Sequence, residues 1–113
     1  MPLGVVTNCS RTLGSDATDQ LARTAGISFT AVVTAEEAGF YKPHFQPYEM
    51  VLEVLGTEPA QTLFVAGSPA DVPGAGALGM PVYWHNRLGL PNADPKIQPA
   101  YEHSSLEPLL DLI

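Results

Sequence analysis

Leu63-Phe64-Val65-Ala66-Gly67-Ser68-Pro69-Ala70-Asp71 carries the strongest structural signal in the chain. Four apolar or small residues run into Gly-Ser-Pro and then into the small-residue segment 72–79, the pattern of a buried strand turning sharply into a helix. Ser68 is placed to cap that helix and Pro69 suits its first position. Asp71 falls three residues after the cap, so its carboxylate is expected near backbone N–H groups that have no helical partner. Gly74, Ala75, Gly76 and Ala77 add little bulk, which lets the helix backbone lie close to a sheet.

Working outward, residues 3–7 read as a strand and Asn8-Cys9-Ser10 as the turn after it. A helix is expected over residues 11–25, where Leu13, Ala17, Leu21 and Ala25 are spaced by four; Gly14 and Ser15 weaken its first turn and Gly26 stops it. Residues 31–34 form a second short strand, and residues 36–43 a loop. The clearest helix follows, with Phe45, Tyr48, Val51, Leu52 and Leu55 on one face, Gln46, Glu49 and Glu53 on the other, and Gly56 at its end. Residues 80–84 give another apolar strand, residues 85–100 an ordered loop rich in proline, and residues 101–103 a minor edge strand. Ser104 and Glu107 fit a capping box for a last helix. Strands alternate with helices, which predicts a three-layer, Rossmann-like α/β core with a mainly parallel sheet, in one domain over residues 1–113.

Composition narrows the partners. Twelve acidic side chains stand against five basic ones, and Arg11, Arg23, Lys42, Arg87 and Lys96 are scattered, so no basic stripe exists for a nucleic acid backbone. Cys9 is the single cysteine, which excludes an intrachain disulfide and a cysteine-based metal set and fits a reducing compartment. No apolar run reaches membrane-spanning length, and the first residues lack the pattern of a leader, so a cytoplasmic protein that does not engage membranes is expected.

In an open parallel sheet, ligands bind beyond the carboxyl ends of the strands. Thr7-Asn8, Lys42-Pro43 and Gly67-Ser68 with Asp71 all fall just past strand ends or in loops on that side, and are expected to meet in one cleft. Singly, each has a plain explanation: an asparagine at a strand end forms turns, and a loop lysine is ordinarily solvated. Cys9 as a nucleophile served by His44, His85 or His103 is disfavoured, because nothing fixes a histidine beside it; a small, half-buried cysteine is expected instead. His85 and His103 without carboxylate spacing make a poor metal site, and Trp84 is expected to pack at the end of its strand. Asn86 and Arg87 then line the cleft rim or tie down the tail.

Together these segments resemble the haloacid dehalogenase superfamily, in particular its 2-haloacid dehalogenase branch. The resemblance rests on Thr7-Asn8 at a strand end, Lys42-Pro43 before an amphipathic helix, the turn with Asp71 followed by Gly74-Ala75, and a strand ending Trp84-His85-Asn86-Arg87. It implies that Thr7 and Asn8 bind an anionic group of the substrate or the leaving group. Lys42 would offset charge around a nucleophilic aspartate, and Tyr48 would lie near the substrate. Asp71 would pair with the lysine and order the hydrolytic water, while Ser68 stands where that branch commonly has asparagine. The implied reaction is hydrolysis of a small 2-halo carboxylic acid through an aspartyl ester.

Two departures qualify the resemblance. Phosphatases of the superfamily carry a magnesium-binding aspartate immediately before this serine, whereas Gly67 stands here, so no metal and no cofactor are expected. The family's first strand, which ends in the nucleophilic aspartate, and most of its cap have no counterpart in these 113 residues. Weak or absent activity of the chain alone is therefore expected. In the family that strand lies between the ones matching residues 3–7 and 63–66, so its absence leaves two unpaired edges. Direct pairing of those strands, a homodimer, or a complementing N-terminal fragment would close the gap. Outside this reaction class, a non-catalytic dimerising or ligand-binding remnant and a phosphatase-type hydrolase are the alternatives.

Overall fold

The computed structural model describes residues 2–26 and 28–113. They fall into two compact units, Met1–Thr57 and Glu58–Ile113.

In the first unit, β1 (Gly4–Thr7) and β2 (Ala31–Thr34) pair in parallel, with Val6 opposite Val33 and Thr7 opposite Thr34. The crossover between them is α1 (Arg11–Ala25), at the bounds its sequence predicts. Ser10 caps it by accepting from the Leu13 N–H at 3.3 Å, and Gly26 closes it in the left-handed conformation at φ 68°. Two helices follow, α2 (Ala35–Ala38) and α3 (Phe45–Leu55).

Period-two alternation along the strands gives this unit two covered faces. On one, Ala31, Val33 and Val6 pack with Val51, Met50 and Leu55 of α3. On the other, Thr34 faces α1: a Cβ on Gly14 would lie 2.6 Å from Thr34 Cγ2 and 3.4 Å from Thr7 Cγ2. The glycine that weakens the helix in isolation is thus what lets α1 lie against the strands. The apolar residues spaced by four are not the buried face of α1, since Gly14 and Thr18 are buried while Leu13 and Leu21 are 64% and 52% exposed. Thr18 spends its hydroxyl on the Gly14 carbonyl at 2.9 Å, which makes a polar side chain tolerable against the sheet.

The expected loop over 36–43 opens as the helical turn α2. Thr34 Oγ1 accepts from the Glu37 N–H at 3.2 Å, and Gly39 at φ 78° ends the turn. Threonine followed three residues later by glutamate is a capping pattern, and here it outweighs the low count of apolar residues.

In the second unit, a 3₁₀ turn over Pro59–Gln61 leads into β3 (Phe64–Ala66), α4 (Asp71–Gly76), β4 (Val82–His85) and β5 (Tyr101–His103). The three strands lie in the order β3-β4-β5, all parallel. Val82, Tyr83 and Trp84 are at most 2% exposed, so the central strand is enclosed on both faces, and Val72 and Ala75 of α4 are fully buried.

Two expected caps do not form. Helix α4 begins at Asp71 rather than after Ser68: the Asp71 and Val72 N–H groups donate to the Ser68 and Pro69 carbonyls in tight turns, and Ser68 Oγ accepts from the Ala70 N–H at 3.2 Å. The Ser-Pro turn is therefore a separate local structure ahead of the helix. At the C-terminus a 3₁₀ helix over Glu107–Asp111 has no side-chain cap, so Ser104 and Glu107 do not act as a capping box.

The described strands thus form one sheet in each unit. Among the described residues β1 is paired with β2 in the first unit, and β3 with β4 in the second. No described helix is long and apolar enough to cross a membrane.

Candidate active site

The turn after β1 carries the first group of candidate residues. Thr7 closes the strand half-buried, and its hydroxyl donates to Cys9 Sγ at 3.2 Å. Cys9 itself is exposed, because the turn lifts it away from the strand, and not half-buried as its apolar character predicts.

Asn8 reaches across the sequence to the backbone of Lys42. Its Oδ1 accepts from the Lys42 N–H at 2.7 Å, and its Nδ2 donates to the Lys42 carbonyl at 3.3 Å. This two-point bond fixes where the lysine leaves the backbone, so the asparagine is first a positioning residue for the lysine. The Lys42–Pro43 peptide bond is cis. Lys42 is half-buried and, as a residue, is not without a partner.

His44 then starts α3. Its Nδ1 accepts from the Gln46 N–H at 3.2 Å while the ring stacks on Phe40, with centroids 4.1 Å apart, and on Phe45, with centroids 4.6 Å apart. The sequence reading missed this role; histidine is uncommon as a cap, and only its place ahead of the apolar periodicity marked the position. Tyr48, one turn on, is 0% exposed. No ligand reaches its phenol in this conformation, so contact with a substrate requires its cover to move.

A cavity of about 390 Å³ lies at the carboxyl end of this unit's sheet, bordered by Cys9, Ser10, Glu36 and the exposed rings of Phe40 and Tyr41. Glu36 Oε1 accepts from the Arg11 N–H at 2.7 Å, and Arg11 Nε lies 3.7 Å from Glu37. A carboxylate already satisfies the first N–H of α1, which discourages a second anion there.

In the second unit, Ser68 is exposed on the turn after β3. Asp71 is 6% exposed in the first turn of α4, and as a residue it is not without a partner. Gly67, immediately before Ser68, brings no side-chain oxygen, so a divalent cation would lack the carboxylate that the phosphatase arrangement places there. Among the described residues no three His, Cys, Asp or Glu side chains are grouped to hold a metal ion.

Trp84 is 1% exposed at the end of β4, as expected. Asn86 is the hub of the loop that follows. Its Nδ2 donates to the Leu90 carbonyl and to Glu102 Oε2, and its Oδ1 accepts from the Leu90 N–H, each at 2.8 Å. It ties down the tail.

Residues 1–85 match the family of haloacid dehalogenase-like hydrolases. The chain belongs to that family. An (S)-2-haloacid dehalogenase of Xanthobacter autotrophicus is 41% identical over 69 residues, which are 59% of this chain and 27% of that protein. Among solved structures, an L-2-haloacid dehalogenase superposes with a TM-score of 0.84 at 29% identity, covering 99% of this chain and 48% of the other. A haloacid dehalogenase-family phosphatase from Thermococcus onnurineus superposes with a TM-score of 0.81 at 27% identity, covering 98% and 49%. The chain spans about half the length of these solved relatives and a smaller share of the curated one.

Proposed function

We propose that this family member serves the hydrolysis of small 2-halo carboxylic acids. In this reading an aspartate from another polypeptide segment attacks the halogen-bearing carbon. The C–O bond forms as the C–halogen bond breaks, and halide leaves with the electron pair. Water then adds to the carbonyl carbon of the aspartyl ester, freeing a 2-hydroxy acid and restoring the carboxylate.

The observation that carries the proposal is the bond of Asn8 to the Lys42 backbone, which ties the turn after β1 to the cation that the reaction needs. Thr7 and the Asn8 turn receive the substrate's carboxylate or the departing halide. Lys42 holds the attacking carboxylate ionised and stabilises negative charge as it moves. Asp71 orders the water with help from Ser68, and Tyr48 comes near the substrate only once its cover moves. The 41% identity to a 2-haloacid dehalogenase and the glycine at position 67 favour this chemistry over phosphate ester hydrolysis.

Among the described residues β1 and β3 stand at sheet edges, which are natural places for a complementing segment because unpaired strand edges recruit further strands. A complementing N-terminal fragment supplies both a strand and the nucleophile; a homodimer supplies only the strand.

The test is halide release from 2-chloropropionate by the 113-residue chain, alone and mixed with the N-terminal half of a full-length relative. Release only from the mixture, lost in Lys42→Ala, is the expected result. Release by the chain alone, abolished by the same substitution, overturns the need for a second segment. Magnesium-dependent release of phosphate from an aryl phosphate by the mixture, without halide release, assigns it to phosphatase chemistry instead.

A further inference from the structure

Two hydrogen-bonding side chains join the turn after β1 to the segment that leads to Lys42, and they reach in opposite directions. Asn8 reaches forward from the turn to both backbone groups of Lys42, across 34 positions. Glu36 reaches back from α2 to the first N–H of α1, across 25 positions, with its Oε1 2.7 Å from the Arg11 nitrogen. The proposed reaction gives roles to Asn8 and Lys42 and none to Glu36.

The chain between these two bridges has little of its own to hold it against the turn. Thr34 and Ala35 are buried, so the start of α2 is anchored at the end of β2. Beyond that anchor α2 has only four residues, too few to be stable by themselves, and it ends at Gly39 in the left-handed conformation. Phe40 and Tyr41, just before the lysine, are 46% and 69% exposed, so burial contributes little there. The Phe40 ring stacks on His44 and the Tyr41 carbonyl accepts from the His44 N–H at 3.0 Å, contacts that tie the loop toward α3 rather than toward the turn after β1.

The bond from Glu36 is of the strong kind. An ionised acceptor meets a backbone donor that has no helical partner, at the N-terminus of a fifteen-residue helix whose dipole favours negative charge. The neighbouring pair is weaker: Arg11 Nε lies 3.7 Å from Glu37, and the arginine side chain is 62% exposed, so solvent screens it.

We propose that Glu36 is a positioning residue for Lys42. Its bond holds α2 against the start of α1, so the short run from Glu36 to Lys42 returns the lysine backbone to where Asn8 grips it. The two bridges close a ring through residues 8–11 and 36–42, and each stiffens the other. What Lys42 does chemically rests on the dehalogenase reading; the coupling of Glu36 to Lys42 does not.

Amide hydrogen exchange of the 113-residue chain, read by NMR for wild type, Glu36→Ala and Glu36→Gln, tests the coupling. Glu36→Ala is expected to speed exchange at the Lys42 N–H, which donates to Asn8 Oδ1, by about tenfold, while the amides of α3 keep their rates. Glu36→Gln keeps an acceptor at the same reach and is expected to restore most of the protection. Unchanged exchange at Lys42 in Glu36→Ala overturns the proposal, and so does an equal acceleration throughout α3, which marks a general loss of stability. Halide release from 2-chloropropionate, by the chain mixed with the N-terminal half of a full-length relative, gives the second readout. There Glu36→Ala is expected to lower kcat by about tenfold with KM little changed, and Glu36→Gln to recover it, as befits a misplaced cation. An unchanged kcat in Glu36→Ala overturns the positioning role. A mixture that releases no halide even with the wild-type chain refutes the dehalogenase reading instead, and the exchange rates then decide the coupling by themselves.

Discussion

Gly14→Ala tests the packing that holds the Thr7-Asn8 turn in place. In an exposed helix interior, replacing glycine by alanine stabilises by about 1 kcal/mol. Here the new Cβ would lie 2.6 Å from Thr34 Cγ2, a contact that ordinary side chains never make. Thr34 is 0% exposed and has two ways to yield. Its methyl can push into packed neighbours, costing about 1–3 kcal/mol, or its χ1 can rotate. Rotation carries Oγ1 away from the Glu37 N–H that it caps at 3.2 Å, costing about 1 kcal/mol for the cap besides the strain. Either route outweighs the gain in propensity, so the variant is expected to lose about 1 kcal/mol net, with the urea midpoint falling by roughly 0.5 M.

The partner substitution is Thr34→Ser, which removes Cγ2 and keeps the capping oxygen. Alone it costs about 1 kcal/mol for the buried methyl. In that background the Cβ of Gly14→Ala meets only Thr7 Cγ2 at 3.4 Å and Thr34 Cβ at 3.9 Å, both ordinary contacts, and the substitution becomes stabilising, so the double-mutant cycle shows a coupling of about 2 kcal/mol. Urea unfolding followed by far-UV circular dichroism on the four proteins measures it. If Gly14→Ala stabilises the wild-type background as it would an exposed helix, or acts equally in both backgrounds, the close approach of α1 to Thr34 is not what fixes this unit.

Three further outcomes are expected. Asn8→Ala removes two bonds to the Lys42 backbone, so hydrogen exchange at the Lys42 amide should accelerate by roughly tenfold, reflecting about 1–2 kcal/mol of local stability; unchanged protection would show that the loop is held elsewhere. Asn86→Ala breaks three 2.8 Å bonds at a buried side chain, and should cost about 2–4 kcal/mol in thermal or urea unfolding while the Trp84 fluorescence maximum shifts to the red. His44→Ala deletes a helix cap flanked by two stacked rings and should cost about 1–2 kcal/mol, whereas His44→Asn, which keeps an acceptor, should recover roughly half.

The turns that carry the candidate residues were legible because strand ends and glycine stops leave local marks. Thr7-Asn8, Lys42-Pro43 and Gly67-Ser68 all stand at breaks in apolar periodicity, and α1 and α3 end at Gly26 and Gly56 in the left-handed conformation that favours glycine. What Asn8 does was not legible: its partner is 34 residues away, and an amide that binds backbone looks the same in sequence as one that binds ligand. Ser68 and Ser104 illustrate the opposite error, since a serine three residues before an acidic residue satisfies the capping pattern whether or not the chain turns there.

Sequence alone determined the alternation of strands and helices, their parallel pairing, the family, and the glycine that disfavours a phosphatase-type metal site, because each depends on residue type and short-range order. Only the tertiary structure decided which face of α1 is buried, that Asn8 grips the backbone of Lys42, and that β1 and β3 each stand at a sheet edge among the described residues. Those facts depend on which surfaces approach closely enough to exclude water. Periodicity reports that a helix has an apolar stripe, but contact with Thr34 selected the stripe bearing Gly14, where the absence of a side chain brings the backbones closest.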